Sequence, residues 1–183
     1  EAAYNKGYVI TRLGKGIVDQ TRSLRVDLKA FKLNSENRRI KRKTEGLELF
    51  YKQLPLDDYS WEIHKMGKDF YTKKFGDGTM SASKIKELFQ DQENSNTNCV
   101  FEYRLEGEIV GYCLCLATEN ILHYAYPFYS LELAEENPNI GLGMMIRGIE
   151  WAQSKGMDYV YLGSVTTPSS KYKLQFKGLD WWD

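Results

Sequence analysis

The sequence predicts an α+β fold in which one mixed sheet is flanked by helices. Three observations predict it. Apolar residues make up 42% of the 183 residues and aromatics 14%, which is globular rather than disordered and enough for a sizeable core. Strand-like alternation and helix-like periodicity take turns along the chain. The run from Tyr159 to Leu162, β-branched and aromatic and stopped by Gly163, reads as a buried strand.

The elements follow in order. Tyr8-Val9-Ile10 is a short strand candidate before a turn at Gly14-Lys15-Gly16, and Ser23 to Leu28 alternates as a strand. Asn34 or Ser35 can cap a basic helix through about Lys43. Glu48 to Leu54 alternates again. Asp57-Asp58 can cap a helix running to about Lys74, broken at Gly76-Asp77-Gly78. Ser81 or Ser83 caps the next, with Ile85, Leu88 and Phe89 inward. After a polar loop at Asn94 to Asn98 come three strands, Cys99–Leu105, Ile109–Ala117 and Ile121–Tyr126, the first two joined by a tight turn at Glu106-Gly107. A helix from Ile140 or Gly141 to Lys155 buries Met144, Met145, Ile149 and Trp151-Ala152, and Asp158 to Leu162 forms the next strand. The division expected is an N-terminal arm, 1–46, packed on a domain spanning 47–183.

Composition narrows the function. Lysine plus arginine equal aspartate plus glutamate at 25 each, which argues against indiscriminate nucleic-acid binding. The charge is uneven, however. From Arg22 to Lys43 nine Lys/Arg face only Asp27 and Glu36, a local patch that suits either a specific RNA contact or a solvated helix face. No apolar run approaches the roughly 18 residues of a membrane helix, no signal-peptide pattern opens the chain, and a cytoplasmic protein without membrane contact is expected. Cys99, Cys113 and Cys115 fall on strands with the wrong spacing for a zinc knuckle, so buried reduced thiols and no metal are expected. With only His64 and His123, a histidine-based triad has little to draw on.

Near the C-terminus, a hydroxyl-rich turn with Pro168 leads into Lys171, Tyr172, Lys173, Gln175, Phe176 and Lys177, cations and ring faces suited to a nucleotide. Upstream stand Asn5-Lys6-Gly7-Tyr8, Leu24 to Leu28, Phe31 with Asn34 to Arg39, Lys73-Lys74 before Gly78-Thr79-Met80, Tyr103 to Gly107, Tyr126-Pro127 and Leu142-Gly143. In this order the blocks resemble the arginyl-tRNA–protein transferases and their bacterial leucyl-transferring relatives, over nearly the whole chain. The element order from residue 47 also resembles the acyl-CoA N-acyltransferase (GNAT) core. Pro138 to Gly143 is similar to that fold's phosphate-binding glycine loop, with proline in place of its leading Gln/Arg. One departure from the transferase pattern is plain: Gly16 to Ser23, where that family carries a cysteine cluster associated with an iron–sulfur or haem group, has no cysteine.

The resemblance implies transfer of an amino acid, arginine first and leucine second, from aminoacyl-tRNA to the N-terminal amine of an acceptor protein, marking it for N-degron degradation. It implies an acidic acceptor residue and no cofactor beyond the charged tRNA; a monomer is expected. Tyr172, Lys173, Gln175, Tyr126 and Ser164 are the candidate catalytic residues. Arg25, Arg38, Arg39, Lys41, Arg42, Lys43, Lys73, Lys74, Gly141, Gly143, Lys171, Phe176 and Lys177 are candidates for holding tRNA or substrate. A donor arginine calls for a carboxylate, with Glu102, Glu150 and Asp180 as candidates. The alternatives are an acetyl-CoA-dependent N-acetyltransferase and a catalytically silent tRNA- or peptide-binding relative. Trp181-Trp182 reads equally as a hydrophobic seal or a partner contact.

Overall fold

The computed structural model describes residues 1–21, 23–165 and 168–181; Arg22, Thr166, Thr167, Asp183 and the second member of Trp181-Trp182 lie outside the described residues. Two strands, β1 (Tyr8–Ile10) and β2 (Val18–Gln20), form a hairpin. Seven more form one sheet: β3 (Ser23–Asp27), β4 (Leu47–Gln53), β5 (Cys99–Leu105), β6 (Glu108–Ala117), β7 (Ile121–Tyr129), β8 (Tyr159–Ser164) and β9 (Leu179–Trp181). Their spatial order is β4-β5-β6-β7-β8-β3-β9, antiparallel throughout except where β7 runs parallel to β8. The helices are α1 (Ser35–Lys43), α2 (Trp61–Phe75), α3 (Ala82–Gln90), α4 (Leu131–Glu136) and α5 (Ile140–Ser154). The parallel β7–β8 pair requires a crossover, and α4 with α5 supplies it.

Strand alternation divides the core into two layers. Phe101, Tyr103, Cys113 and Cys115 face α1 and α5 with Ile40, Met144, Ile146 and Ile149. Val100, Tyr112, Leu114 and Phe128 face α2 and α3 with Ile63, Phe70, Ile85 and Phe89. All three cysteines are buried and unpaired. Leu24, Val26, Phe31 and Ile40 belong to the first layer, so segment 1–46 contributes a strand and a helix to the main core; of its hairpin, β2 is exposed while Val9 and Ile10 of β1 are buried in a small cluster with Tyr4, Ile121 and Tyr161. Asn34 caps α1, its side chain accepting from the Asn37 amide at 2.8 Å.

The boundaries differ from the sequence expectation in instructive places. α2 begins at Trp61, not at Asp57-Asp58, because Asp58 is drawn to Lys52 Nζ at 2.8 Å and Ser60 takes the cap position. β7 runs on through Pro127 to Tyr129; proline is tolerated there because β7 has lost its β8 neighbour. β2, α4 and the three-residue β9 carry too little periodic signal to be seen in sequence.

At the end of the β7–β8 ladder, His123 is buried, with Nδ1 hydrogen-bonded to the Tyr4 hydroxyl at 2.8 Å. Burial, reinforced by nearby Lys173, pushes its pKa from the usual 6.5 down to about 3. Between those values an unfolded chain takes up a proton that the folded chain refuses, so stability falls with pH. The slope from this group reaches about 1.4 kcal/mol per pH unit. Urea midpoints measured from neutrality to about pH 3 should therefore fall more steeply for the native chain than for His123→Gln. Parallel profiles would show that His123 is not held neutral.

Candidate active site

β7 and β8 pair over three positions only, Ile121 with Tyr159, Leu122 with Val160 and His123 with Tyr161. Beyond that point the strands part. Each has an irregularity at the fork: Ala125 is extra between the β6-paired Tyr124 and Tyr126, and Leu162 is extra between the β3-paired Tyr161 and Gly163. The opening is a cavity of about 600 Å³. Tyr124 to Pro127 and Tyr129 form one wall and Leu162 with Ser164 the other. Phe70, Tyr71, Lys74 and Phe75 come from α2; Pro138, Gly141, Leu142 and Met145 come from the start of α5; Ser170, Tyr172 and Lys173 come from the 3-10 segment Pro168–Gln175.

The lining is apolar and aromatic, with two cations and, among the described residues, no carboxylate. Lys173 Nζ donates to the Ser164 carbonyl at 3.2 Å, and partial burial lowers its pKa to about 8. Burial raises Tyr126 and Tyr172 to about 12, so both phenols are neutral donors at physiological pH. Tyr71 donates to the Pro127 carbonyl at 3.0 Å and ties α2 to the wall. Arg12, on the β1–β2 loop, is close enough to Tyr71 and Tyr126 to oppose part of their upward shift. Neither Arg12 nor Lys74 has an ion-pair partner among the described residues.

Of the sequence candidates, the structure brings Tyr126, Ser164, Tyr172, Lys173, Lys74 and Gly141 together around this cavity. Gln175 sits behind it: its Nε2 donates to the Tyr172 carbonyl at 2.7 Å, and its Oε1 accepts from Asn37 at 3.3 Å. Phe176 is buried, its ring 6.5 Å from that of Phe31. Arg25 pairs with Asp180 at 2.8 Å and lies 4.4 Å over the Tyr159 ring. On α1, Arg39 is paired with Glu36 at 2.7 Å and Lys41 with Glu150 at 2.8 Å, while Arg38 donates to the Leu33 carbonyl at 2.6 Å. Arg42, Lys43, Lys73, Lys171 and Lys177 are exposed without ion-pair partners among the described residues. The carboxylates considered for a donor arginine lie elsewhere: Glu102 is buried between Lys52 and Arg104, each 2.7 Å away, while Glu150 and Asp180 hold Lys41 and Arg25. Sequence reasoning missed Arg12, Phe70, Tyr71, Tyr129 and Met145, whose spacing carries no motif.

The two glycines of the loop at the start of α5 have packing reasons. A Cβ at Gly141 would stand 2.7 Å from the Tyr129 hydroxyl, and one at Gly143 2.6 Å from Thr44 Oγ1. An iron–sulfur or haem group does not fit the region before β3: Gly16 to Ser23 has no thiol, and the three cysteines lie in the core on β5 and β6.

The sequence profile described as arginine-tRNA-protein transferase, C terminus, matches residues 56–183. The chain belongs to this family. Among its curated relatives, an aspartate/glutamate leucyltransferase of Brucella suis is 27% identical over 131 residues, covering 64% of this chain and 52% of the relative. The chain thus spans about half the length of that relative. L-PGS from Bacillus licheniformis shares the fold with a TM-score of 0.57 at 16% identity, over 98% of this chain and 63% of that one. So does the GCN5-related glucosamine N-acetyltransferase region of a fungal multi-domain GH3 β-N-acetylglucosaminidase, with a TM-score of 0.53 at 14% identity, over 99% of this chain and 21% of that one. Both the family and the GNAT-like fold class expected from sequence are borne out.

Gly143 tests how tightly the mouth of the cavity is set in this family member. Thr44 cannot retreat easily, since its hydroxyl donates to the Ile40 carbonyl at 2.9 Å and accepts from Arg147 at 3.0 Å. Gly143→Ala should cost about 1–3 kcal/mol, read from chemical denaturation. An unchanged midpoint would mean that α5 shifts freely against α1.

Proposed function

We propose that the chain transfers an amino acid, leucine in preference to arginine, from aminoacyl-tRNA to the N-terminal amine of a protein that begins with an acidic residue. The observation that carries this reading is the splayed-strand cavity: apolar walls, two cations and no carboxylate among the described residues, in a chain of the transferase family. A guanidinium placed there would meet lysines without a counter-charge, whereas a leucyl side chain fits against Phe70, Leu142, Met145 and Leu162. The name of the Brucella relative supports the same donor and acceptors. Marking acceptors for degradation in the cytoplasm extends the reading. No helix of the described residues is long and apolar enough to cross a membrane.

The chemistry is aminolysis of an ester. The neutral α-amine, with an ordinary pKa near 7.7–8.0, attacks the ester carbonyl carbon. A C–N bond forms, the C–O bond to the terminal ribose breaks, and the proton lost by the amine ends on the ribose oxygen. Little general-base strength is required, so the residues act by orientation and by donating to the oxyanion. The Lys173 ammonium and the phenols of Tyr126 and Tyr172 are the donors at hand. Lys74 and Arg12 receive the acceptor's carboxylate. The exposed Arg42, Lys43, Lys171 and Lys177 meet the tRNA backbone.

Incubating the chain with a full set of charged tRNAs and a peptide beginning with Asp, followed by mass spectrometry, identifies the donor. A gain of one leucine is expected. A gain of arginine would overturn the leucine preference, and no gain would overturn transfer.

Lys173→Met should lower kcat about 100-fold, the cost typical of one lost oxyanion donor. Because the Lys173 pKa is about 8, the native rate should decline above that pH as the ammonium is lost. Lys173→Arg, which stays charged, should lack that alkaline limb in a pH–rate profile.

A further inference from the structure

The segment that carries Tyr172 and Lys173 into the cavity wall is a 3-10 stretch, Pro168–Gln175, and such stretches hold their own geometry poorly. Its support comes from the N-terminus of α1. Asn34 Nδ2 donates to the Gln175 carbonyl at 2.6 Å, and Asn37 Nδ2 donates to Gln175 Oε1 at 3.3 Å. Gln175 Nε2 in turn donates to the Tyr172 carbonyl at 2.7 Å. That carbonyl belongs to the peptide joining Tyr172 to Lys173, so its direction sets the plane from which both side chains leave. Phe176, buried with its ring 6.5 Å from that of Phe31, anchors the chain immediately beyond.

The direction of each amide is dictated by its neighbours. The Tyr172 carbonyl can only accept, so Gln175 turns its NH2 toward it and its oxygen toward Asn37. Asn37 then offers its own NH2, which leaves its Oδ1 for the Asn34 amide at 3.4 Å. The Asn34 side chain completes the cap by accepting from the Asn37 amide at 2.8 Å. Asn37 is fully buried, where an unpaired amide is costly, and both ends of its side chain are used. A cap needs only the Asn34 oxygen. The reach of a second amide across to Gln175 is more than capping requires.

We propose that Asn37 and Gln175 are positioning residues: an amide relay from α1 that holds the Tyr172–Lys173 peptide and so aims both side chains into the cavity. Gln175, a catalytic candidate by sequence, thereby acts from behind the site. α1 is a firm base for the relay, because Ile40 is buried in the main core and Lys41 is paired with Glu150 of α5. At the other end, Lys173 Nζ reaches the Ser164 carbonyl on β8 at 3.2 Å. The part the relay plays in catalysis rests on the transfer reading; its hold on Lys173 does not.

That hold can be read without tRNA. Trace acetylation with acetic anhydride over a range of pH, quantified at Lys173 by mass spectrometry, should give a midpoint of about 8 in the native chain. Gln175→Met and Asn37→Leu each remove one link without adding charge, and Asn37→Leu leaves the backbone amide that Asn34 caps. Circular dichroism checks that both fold. In each, the midpoint should rise toward the roughly 10.4 of a free lysine, and the double variant should do no more than either alone. The titratable groups around Lys173 are His123 and Tyr126 on β7, Tyr71 and Lys74 on α2, and Tyr172, and neither substitution alters them. In the transfer assay both variants should lower kcat about 10- to 100-fold with KM for the acceptor peptide little changed, and carry the alkaline limb upward with the midpoint. Ser81→Ala, which loses the cap of α3 on the opposite layer, should lower stability and move neither readout. A midpoint that stays near 8 in the folded variants, or one that already stands near that of free lysine in the native chain, would overturn the proposal. If the native chain transfers nothing, the transfer reading fails and the acetylation midpoints alone decide the relay.

Discussion

The shortness of the β7–β8 ladder is the constraint on which the rest of this molecule depends. Two parallel strands that paired along their whole length would leave no room between them, and the sheet would be an ordinary closed layer. Here pairing stops at His123 and Tyr161, and an irregularity on each strand turns the following residues apart. What holds the fork open is the helix that joins the strands. The start of α5 is pressed against α1 through Gly143 and Thr44, and Arg147 ties α5 to the Thr44 and Leu47 carbonyls. On the other side, Tyr71 fastens α2 to Pro127. The cavity is thus built on regular elements and closed from the C-terminal side by the segment bearing Tyr172 and Lys173.

Much of this was legible in the sequence, for identifiable reasons. The long strands β5 and β6 with the Glu106-Gly107 turn between them, and helices α3 and α5, have strong periodicity and clear caps or breakers. The family was legible because its blocks are spread over the chain in order, so weak matches support one another. The start of α2 was not legible, since Asp57-Asp58 is a better local cap than Ser60 and only the pairing of Asp58 with Lys52 reveals why it is passed over. The extension of β7 through Pro127 depends on the absence of a neighbour on one side, a tertiary fact. Tyr126, Ser164 and Lys173 could be named from their places at strand ends and in the basic tail. Phe70 and Tyr129 could not, because a cavity wall assembled from a helix face and a strand has no linear spacing, and neither could Arg12, which comes near that wall from a hairpin loop.

The distribution of charge explains why the basic helix is a weaker guide to the site than its sequence suggests. α1 is the densest cationic stretch, yet Arg39 and Lys41 are neutralised by Glu36 and Glu150, and Arg38 is spent on a backbone carbonyl. The sequence counts charges; the fold decides which remain available. At the fork, Lys74 and Lys173 belong to a lining without a described carboxylate, and Arg12 lies near Tyr71 and Tyr126 of that lining. Lys173 and His123 show the same logic one layer down. Both are bases pushed toward neutrality by burial, and Lys173 adds to the depression of His123. A charged imidazole under the fork would repel the ammonium from the carbonyl of Ser164 and from any anion in the cleft. Keeping the imidazole buried, neutral and hydrogen-bonded to Tyr4 leaves the Lys173 ammonium as the positive charge at that point of the wall. The pairing that ends at His123 therefore sets both the width of the cleft and the sign of the field inside it.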